Sequence, residues 1–543
     1  MKKMTRLLCL LLAMVMCVGL LAACGGDDDP EDTTAPTTGA PTTGTGDKWD
    51  TAKFGGKTLR VYCNNQTQAT LTATASPNYV RFLEGPDTTN DEDIDLSNAV
   101  DKAVFDRNTK VAEKLNITID WQTDYASTSN EDALTHLFDL ANGGVKTTPH
   151  VVVDMHYVLI RAEVQGRLYD LKKDYGQATK NYFDFKSENG WYMDLMNSTT
   201  LNKDRLYIAS GDFLLDSLRL SYNTFVNMDL YDELFMVRGA GGIDDLFSII
   251  IDEGAWDYDT YLEMSQVAYD PSGGADRTVW GTVSNQFNYR SFFFSSGVKL
   301  FDYDAEGRPT YVTAQADIDA LEQYVEKARD VLADPSIAKQ SLTADYTGND
   351  ALEIFSANEY NALFMTDQFL AALEGPNFQN MDHKTAVIPY PKYDIEADYR
   401  TLVSDNACSG AIYKGFDPAD FPMATAFLQM MTEESGSVMN AYFEEGLKYK
   451  NNKANHARQN EVLNIIRDSI TEPLEFLFDN YASREADGKG CSSHPNSAHT
   501  IYDIIQDAVA SGFGGSTGFS STWDAEIGSK AAKLEEVTAV FYN

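Results

Sequence analysis

The sequence predicts an α/β protein of two lobes, each a mostly parallel sheet flanked by helices, joined by hinge strands that cross between them. Three observations carry this. The 543 residues are too many for one ordinary core. Between Lys57 and Asp154 the apolar pattern alternates strand, helix, strand, helix, strand. Arg205–Asn223, read RLYIASGDFLLDSLRLSYN, then interrupts that pattern with two short strand-like runs. Taken alone, two runs broken by Gly211-Asp212 form a hairpin; set between α/β units on both sides, they read as a crossing strand over a cleft.

The chain opens with Lys2, Lys3 and Arg6 and an apolar run from Leu7 to Leu21, ending in small residues. That is a secretory signal peptide over 1–23, too short for a permanent span. Its end, Leu21-Ala22-Ala23-Cys24-Gly25, resembles a bacterial lipobox, which implies lipidation of Cys24; ordinary signal cleavage beside an incidental cysteine is the alternative. Removing the leader takes 43 basic residues to 40 and the net charge from −39 to −42. Residues 24–50 are rich in Thr, Pro, Gly and Asp and hold almost nothing a core would use, so they read as a disordered tether.

The first lobe begins with the strand Thr58–Cys63, ended by Asn64-Asn65. A helix over Val100–Leu115 buries Val104, Val111, Ala112 and Leu115 and stops at Asn116. Ile117–Trp121 alternates as a strand, and Glu131–Asn142 is a helix stopped by Gly143-Gly144. Pro149–Asp154 is the continuous apolar strand that a parallel sheet buries. Ligands in such sheets bind beyond the carboxyl ends of strands, which puts Asn64, Asn65, Asp154, Met155 and His156 at a cleft edge.

Past the crossing, Trp256–Ala268 is helical, Val279–Val283 a strand, Ser284–Tyr289 a loop and Phe292–Gly297 an apolar helical turn. Thr385–Pro391 reads as a strand, and helices follow at Ala424–Met431, Glu461–Ser469 and Lys530–Val540. No internal repeat is found.

Composition excludes several functions. A balance of 82 acidic against 43 basic residues is the wrong footprint for nucleic acid and for direct adsorption to anionic lipid. Beyond Cys24 only Cys63, Cys408 and Cys491 remain, which is neither a disulfide framework nor a zinc set, although one pair could bridge. Asp270–Asp276 and Asp302–Gly307 have carboxylates near glycine but lack calcium-loop spacing, so turns are the plainer reading. There is no Walker A loop, HExxH or dinucleotide fingerprint. An enzyme, a cofactor and a metal are therefore not expected.

The crossing segment also carries a family resemblance. Leu206-Tyr207-Ile208-Ala209 and Leu220-Ser221-Tyr222-Asn223 resemble the "lYaiP…l.YN" of the extracellular solute-binding lipoproteins of bacterial ABC importers, sugar-binding type. Ser210-Gly211-Asp212 departs from it where a proline is common. Ala362–Thr366 resembles that family's second crossing and Cys408–Tyr413 its third. The resemblance implies a periplasmic-binding-protein-like fold, with residues 51–211 plus 366–408 as lobe 1 and 212–365 plus 409–543 as lobe 2. It implies a monomer anchored through Cys24 at the outer face of the bacterial cytoplasmic membrane. Such a protein captures a small solute, here a carbohydrate, and delivers it to the importer's transmembrane subunits. A secreted carbohydrate-active enzyme and a surface adhesion lipoprotein are the alternatives.

Sugars present apolar C–H faces to aromatic rings and hydroxyls to carboxylates and amides, so a cleft offering both suits a polyol. On that ground the remaining candidates are Asp212, Phe213, Gln286, Phe287, Tyr289, Asp367 and Asn406, each after an expected strand end or crossing.

Overall fold

The computed structural model describes residues 48–64, 79–86, 98–123, 130–176, 179–236, 241–274, 278–284, 288–338, 350–357, 362–404, 406–446, 457–471, 505, 508–509 and 519–539. The leader, Cys24, the tether up to residue 47 and Cys491 lie outside them. Among the described residues no helix is long and apolar enough to cross a membrane.

Two sheets organise the body that starts at Trp49. The first contains β1 (Lys57–Cys63), β2 (Ile117–Gln122), β3 (Val151–Met155), β4 (Ile208–Ala209) and, much later in the chain, β12 (Cys408–Ile412). Their order is β2-β1-β3-β12-β4. β1 pairs parallel with β2 and β3, whereas β12 is antiparallel to both β3 and β4. The second sheet holds β5 (Tyr222–Asn227), β6 (Trp280–Ser284), β9 (Ala362–Phe369) and β10 (Thr385–Ile388) in the order β10-β5-β9-β6. Here β6 and β9 are parallel and β5 runs against β9 and β10. Between β6 and β9 the chain makes a hairpin of β7 (Phe301–Tyr303) and β8 (Pro309–Tyr311), and β11 (Thr401–Leu402) pairs with β13 (Ile470–Thr471).

One rule covers both sheets. The single strand that runs against the others is the first strand the chain makes after arriving from the other sheet. β12 enters with Cys408 opposite Met155, at the carboxyl end of β3. β5 enters with Tyr222 opposite Phe369, at the carboxyl end of β9. Both crossings, residues 210–221 and 389–407, therefore leave from and arrive at carboxyl edges, so those two edges share one side. The crossings also touch: Ser404 N–H donates to Leu220 O at 3.0 Å, and Ser221 bridges Val403.

Local chemistry explains the elements. The helix Ala99–Leu115 is capped by Asn98, whose side chain accepts from Val100 N at 2.9 Å, and it stops where Asn116 turns left-handed at φ 51°. Its buried face includes Val104, Val111 and Leu115, with Ala112 half-buried. Val151, Val152 and Val153 are all fully buried, as a strand covered on both faces requires.

The expected crossing strand at Leu218–Asn223 is corrected. Asp216–Arg219 is a turn of helix, and β5 starts only at Tyr222. The alternation misled because every residue from Asp216 to Ser221 is buried, so apolar-polar spacing did not report an inside and an outside. The expected lobe boundaries also differ from the sheets. Ala362–Thr366 is not a crossing but part of β9, a central strand of the second sheet, and β10 lies beside β5. Cys408–Ile412 belongs to the first sheet, and the helix Phe421–Glu433 after it packs on Ala99–Leu115. A strand buried on both faces and a strand buried at a hinge carry the same continuous apolar signature. Only from the helix Ala457–Asp468, which packs on β10, does the chain return to the second lobe.

Candidate functional site

At the carboxyl edge of the first sheet stand Asn64, Asp154, Met155 and His156, all buried. Asp154 Oδ1 accepts from Met155 N–H at 2.8 Å. Its Oδ2 has no hydrogen-bond partner although the residue is fully buried. Burial pushes the carboxyl up to about 7, the Met155 N–H and the Asn64 amide opposing only in part. His156 Nε2 is 2.6 Å from Ser409 Oγ, which is 2.5 Å from Ser210 Oγ. This hydroxyl chain joins β12 to the first residue beyond β4.

At the matching edge of the second sheet, Asn223 pairs with Gln368 and Phe225 with Met365, so Thr366 and Asp367 together oppose Thr224. The bulge puts Asp367 in a left-handed conformation, φ 58°, a strained geometry for a residue with a side chain. Ser291 Oγ donates to Asp367 Oδ1 at 2.6 Å. Around this bulge Asn223 Oδ1, Thr224 Oγ1, Ser284 Oγ and Gln368 Nε2 are buried without a hydrogen-bond partner. An orphaned buried polar atom costs about 1–3 kcal/mol, so four at one strand edge call for an explanation.

The other expected site residues separate. Phe213 is fully buried, its ring against Trp191 at 6.3 Å between centroids. Gly410 is needed there, since a Cβ on it would come within 3.1 Å of the Phe213 ring. Asp212 spends both carboxylate oxygens on Arg467, Nε to Oδ1 at 3.0 Å and Nη2 to Oδ2. The glycine of Ser210-Gly211-Asp212 also has a cause: Gly211 bridges Trp191, and a Cβ would meet Gly190 O at 2.7 Å. Asn406 is half-buried beside Ser404 Oγ, at 3.3 Å from its N–H. Asn65, Gln286 and Phe287 lie outside the described residues, as does the Tyr289 side chain.

Sequence reasoning missed the charges that hold this region. Arg107 is buried with its guanidinium on the carbonyls of Phe213 (2.8 Å), Leu83 (3.1 Å) and Phe82 (3.2 Å) and on Ser435 Oγ (3.2 Å). Desolvation lowers it to about 9. In the crossing, Asp216 Oδ2 accepts from Cys408 N–H at 2.5 Å. Arg219 grips Glu374 with Nε to Oε1 at 2.9 Å and Nη2 to Oε2 at 2.8 Å. Burial pushes Asp216 up to about 7, against Arg219, the Cys408 N–H and His156. The visible signal was a charge of each sign, three residues apart, inside the leucine-rich run Leu214–Leu220.

Cys63 and Cys408 are free thiols on β1 and β12, the two strands that flank β3. Two strand spacings of about 4.8 Å exceed the roughly 7 Å limit for a disulfide. Burial raises both thiols well above the usual range. Both are expected to stay unmodified when the folded protein meets a small thiol reagent and to react on unfolding, read by peptide mapping; rapid native-state labelling would contradict this. Among the described residues no group of His, Cys, Asp and Glu could hold a metal ion.

No protein-family model matches the chain, and no curated sequence matches it. Solved structures do align over most of its length. A cyclo/maltodextrin-binding protein complexed with maltotetraose is 14% identical with a TM-score of 0.48, covering 89% of this chain and 97% of that one. An ABC transporter solute-binding protein from Agrobacterium radiobacter K84 in complex with ribitol is 11% identical with a TM-score of 0.42, covering 89% and 100%. UgpB from Mycobacterium tuberculosis in complex with glycerophosphocholine is 12% identical with a TM-score of 0.45, covering 80% and 95%. The class of this chain, a two-lobe α/β protein with its polar strand edges turned toward the crossings, is defined by its own strand order.

Proposed function

We propose that this chain is a solute-binding protein that takes a neutral, hydroxyl-rich solute, a carbohydrate or polyol, between its two carboxyl edges. The observation that carries the reading is the set of orphaned buried polar atoms on both edges: Asp154 Oδ2 on the first, and Asn223 Oδ1, Thr224 Oγ1, Ser284 Oγ and Gln368 Nε2 on the second. The set mixes donors and acceptors, which suits hydroxyl groups that do both. Among the described residues these five atoms include none from Lys or Arg. In α/β folds the carboxyl edge at a reversal of strand order is where ligands bind.

The lipobox-like end at Cys24 and the polar tether support attachment to the outer face of a bacterial membrane and delivery to an ABC importer. Phe287 and Tyr289 would supply stacking rings and Gln286 an amide; the expected loop Ser284–Tyr289 is corrected in that Ser284 ends β6 and Tyr289 lies in the first turn of the helix Asn288–Ser296.

A thermal-shift screen of monosaccharides, oligosaccharides, polyols, amino acids and peptides tests the reading. A ligand at a hundredfold excess over its dissociation constant adds about 2.7 kcal/mol of apparent stability. One sugar or polyol is expected to raise the melting temperature, and calorimetric titration of Phe287→Ala and Tyr289→Ala should then show affinity reduced at least tenfold. A response confined to amino acids or peptides sinks the carbohydrate assignment. Hydrolysis of a glycan by the purified protein would favour the enzyme alternative.

A further inference from the structure

The helical turn Asp216–Arg219 reaches both lobes from one place. Asp216 is fixed to the first lobe through the Cys408 N–H at the start of β12. Arg219, one turn on, is fixed to Glu374, in the short turn of helix (Leu370–Glu374) that follows β9 of the second lobe. Backbone contacts keep that pair together, since Leu370 N–H donates to Ser221 O at 3.1 Å. The Arg219–Glu374 ion pair therefore belongs to the crossing and the second lobe.

Several contacts lead from this pair to the first lobe, since Arg81 acts electrostatically on Glu374 and Tyr442 also faces Arg219, and two of them have a defined geometry. The Tyr442 hydroxyl donates to Glu374 Oε1 at 2.8 Å. The Arg219 guanidinium carbon lies 4.4 Å from the centroid of the Phe82 ring. Phe82 and Tyr442 meet edge to face at 6.3 Å, and the segment carrying Tyr442 packs on the first-lobe helix Ala99–Leu115. Both kinds of contact are weaker than the ion pair. Arg219 is 1% exposed but the Glu374 side chain is 25% exposed, so water can replace the tyrosine without entering the core.

We propose that Glu374 and Tyr442 form an interlobe latch: a carboxylate on the second lobe, held by a hydroxyl on the first, fixes the lobe orientation seen here. Asp216–Arg219 is the pivot. Rotation about it breaks the tyrosine bond and slides Arg219 off Phe82 while the Arg219–Glu374 pair stays whole. No buried charge is stripped of its partner, so the lobes move without the full penalty of breaking a buried ion pair. The latch rests on the two-lobe arrangement and is independent of what the solute is.

The test is a spin-label distance measurement on the mature full-length chain without any ligand. Labels go on the exposed positions Lys172→Cys in the first lobe and Glu263→Cys in the second. Cys24 and Cys491 are replaced by serine; Cys63 and Cys408 are buried and stay unlabelled. The parent should give one dominant distance. Tyr442→Phe, which removes only the hydroxyl, should add a second population and shift the ratio of the two at least tenfold. Glu374→Gln should do the same. Unchanged distributions in both variants overturn the latch. So does a change in Glu374→Gln alone, which would leave the tyrosine without a part, and so does a misfolded Glu374→Gln beside an unchanged Tyr442→Phe. Because no solute is present, failure of the carbohydrate screen has no bearing on the result.

Discussion

Replacing Arg219 by methionine is expected to lower folding stability by about 3 kcal/mol, the low end of the 3–5 kcal/mol typical for stripping one partner from a buried ion pair. The residue is 1% exposed and serves two carboxylates. Glu374 receives both forks of the guanidinium, and Asp216 lies 3.9 Å from Nη1. Without Arg219, Glu374 recovers part of its hydration because its side chain is 25% exposed. Asp216 is fully buried and cannot. Asp216 must instead take up a proton, and that cost together with the lost attraction sets the size of the effect. Adding Asp216→Asn and Glu374→Gln to Arg219→Met should therefore restore at least half of the loss, since the amides keep the shape without the charge. Urea unfolding of the single and triple variants at pH 7.5 measures both. A single substitution within 1 kcal/mol of the parent would show that Arg219 is held by its packing on Phe82 and not by its charge.

Most of the first sheet was legible because its strands are short apolar runs bounded by clear stops. Asn64-Asn65, Asn116 and Gly143-Gly144 each end an element for a reason visible in the sequence. The carboxyl-edge residues Asn64, Asp154 and Asp367 were likewise legible, since a polar residue directly after or inside an apolar strand is conspicuous. What could not be read was which strand pairs with which. β12 lies 253 residues from β3, counted from Met155 to its register partner Cys408, and nothing local in Cys408–Ile412 says that it belongs to the first sheet. Asp212 misled for a related reason. A carboxylate after a glycine at a strand end looks available to a solute, but its partner Arg467 comes from a helix 255 residues later. Phe213 misled because a ring next to a turn looks exposed, whereas Gly410 leaves room for it inside.

Asp154→Asn is expected to change stability and binding in opposite directions. In the folded protein burial holds the Asp154 carboxyl at about 7, against an ordinary value of 3.8. Between those values the folded chain keeps a proton that the unfolded chain has released. Stability therefore falls as pH rises from about 4 to about 7 and stays low above that, because the folded state must then bury a carboxylate. Asparagine has no charge to bury, and its oxygen can still accept from the Met155 N–H. The variant should gain about 2–4 kcal/mol at pH 8 and nothing at pH 4, since raising a carboxyl from 3.8 to about 7 costs the folded state about 4 kcal/mol at most. A fully buried acid that costs this much, with no cation beside it among the described residues, is a destabilising feature of the kind kept for function. If Oδ2 meets a solute hydroxyl, the amide should weaken binding at least tenfold, about 1.4 kcal/mol or more, at pH 8. Melting curves at pH 4 and pH 8, set beside calorimetric titration with whichever sugar or polyol the screen returns, read the two effects separately. A gain in stability with unchanged affinity would make Asp154 a structural acid and move the site to the second edge, around Thr224, Ser284 and Asp367. Loss of stability at pH 8 would mean that the charged carboxylate is held in place by its neighbours, and the electrostatic account of this edge would fall.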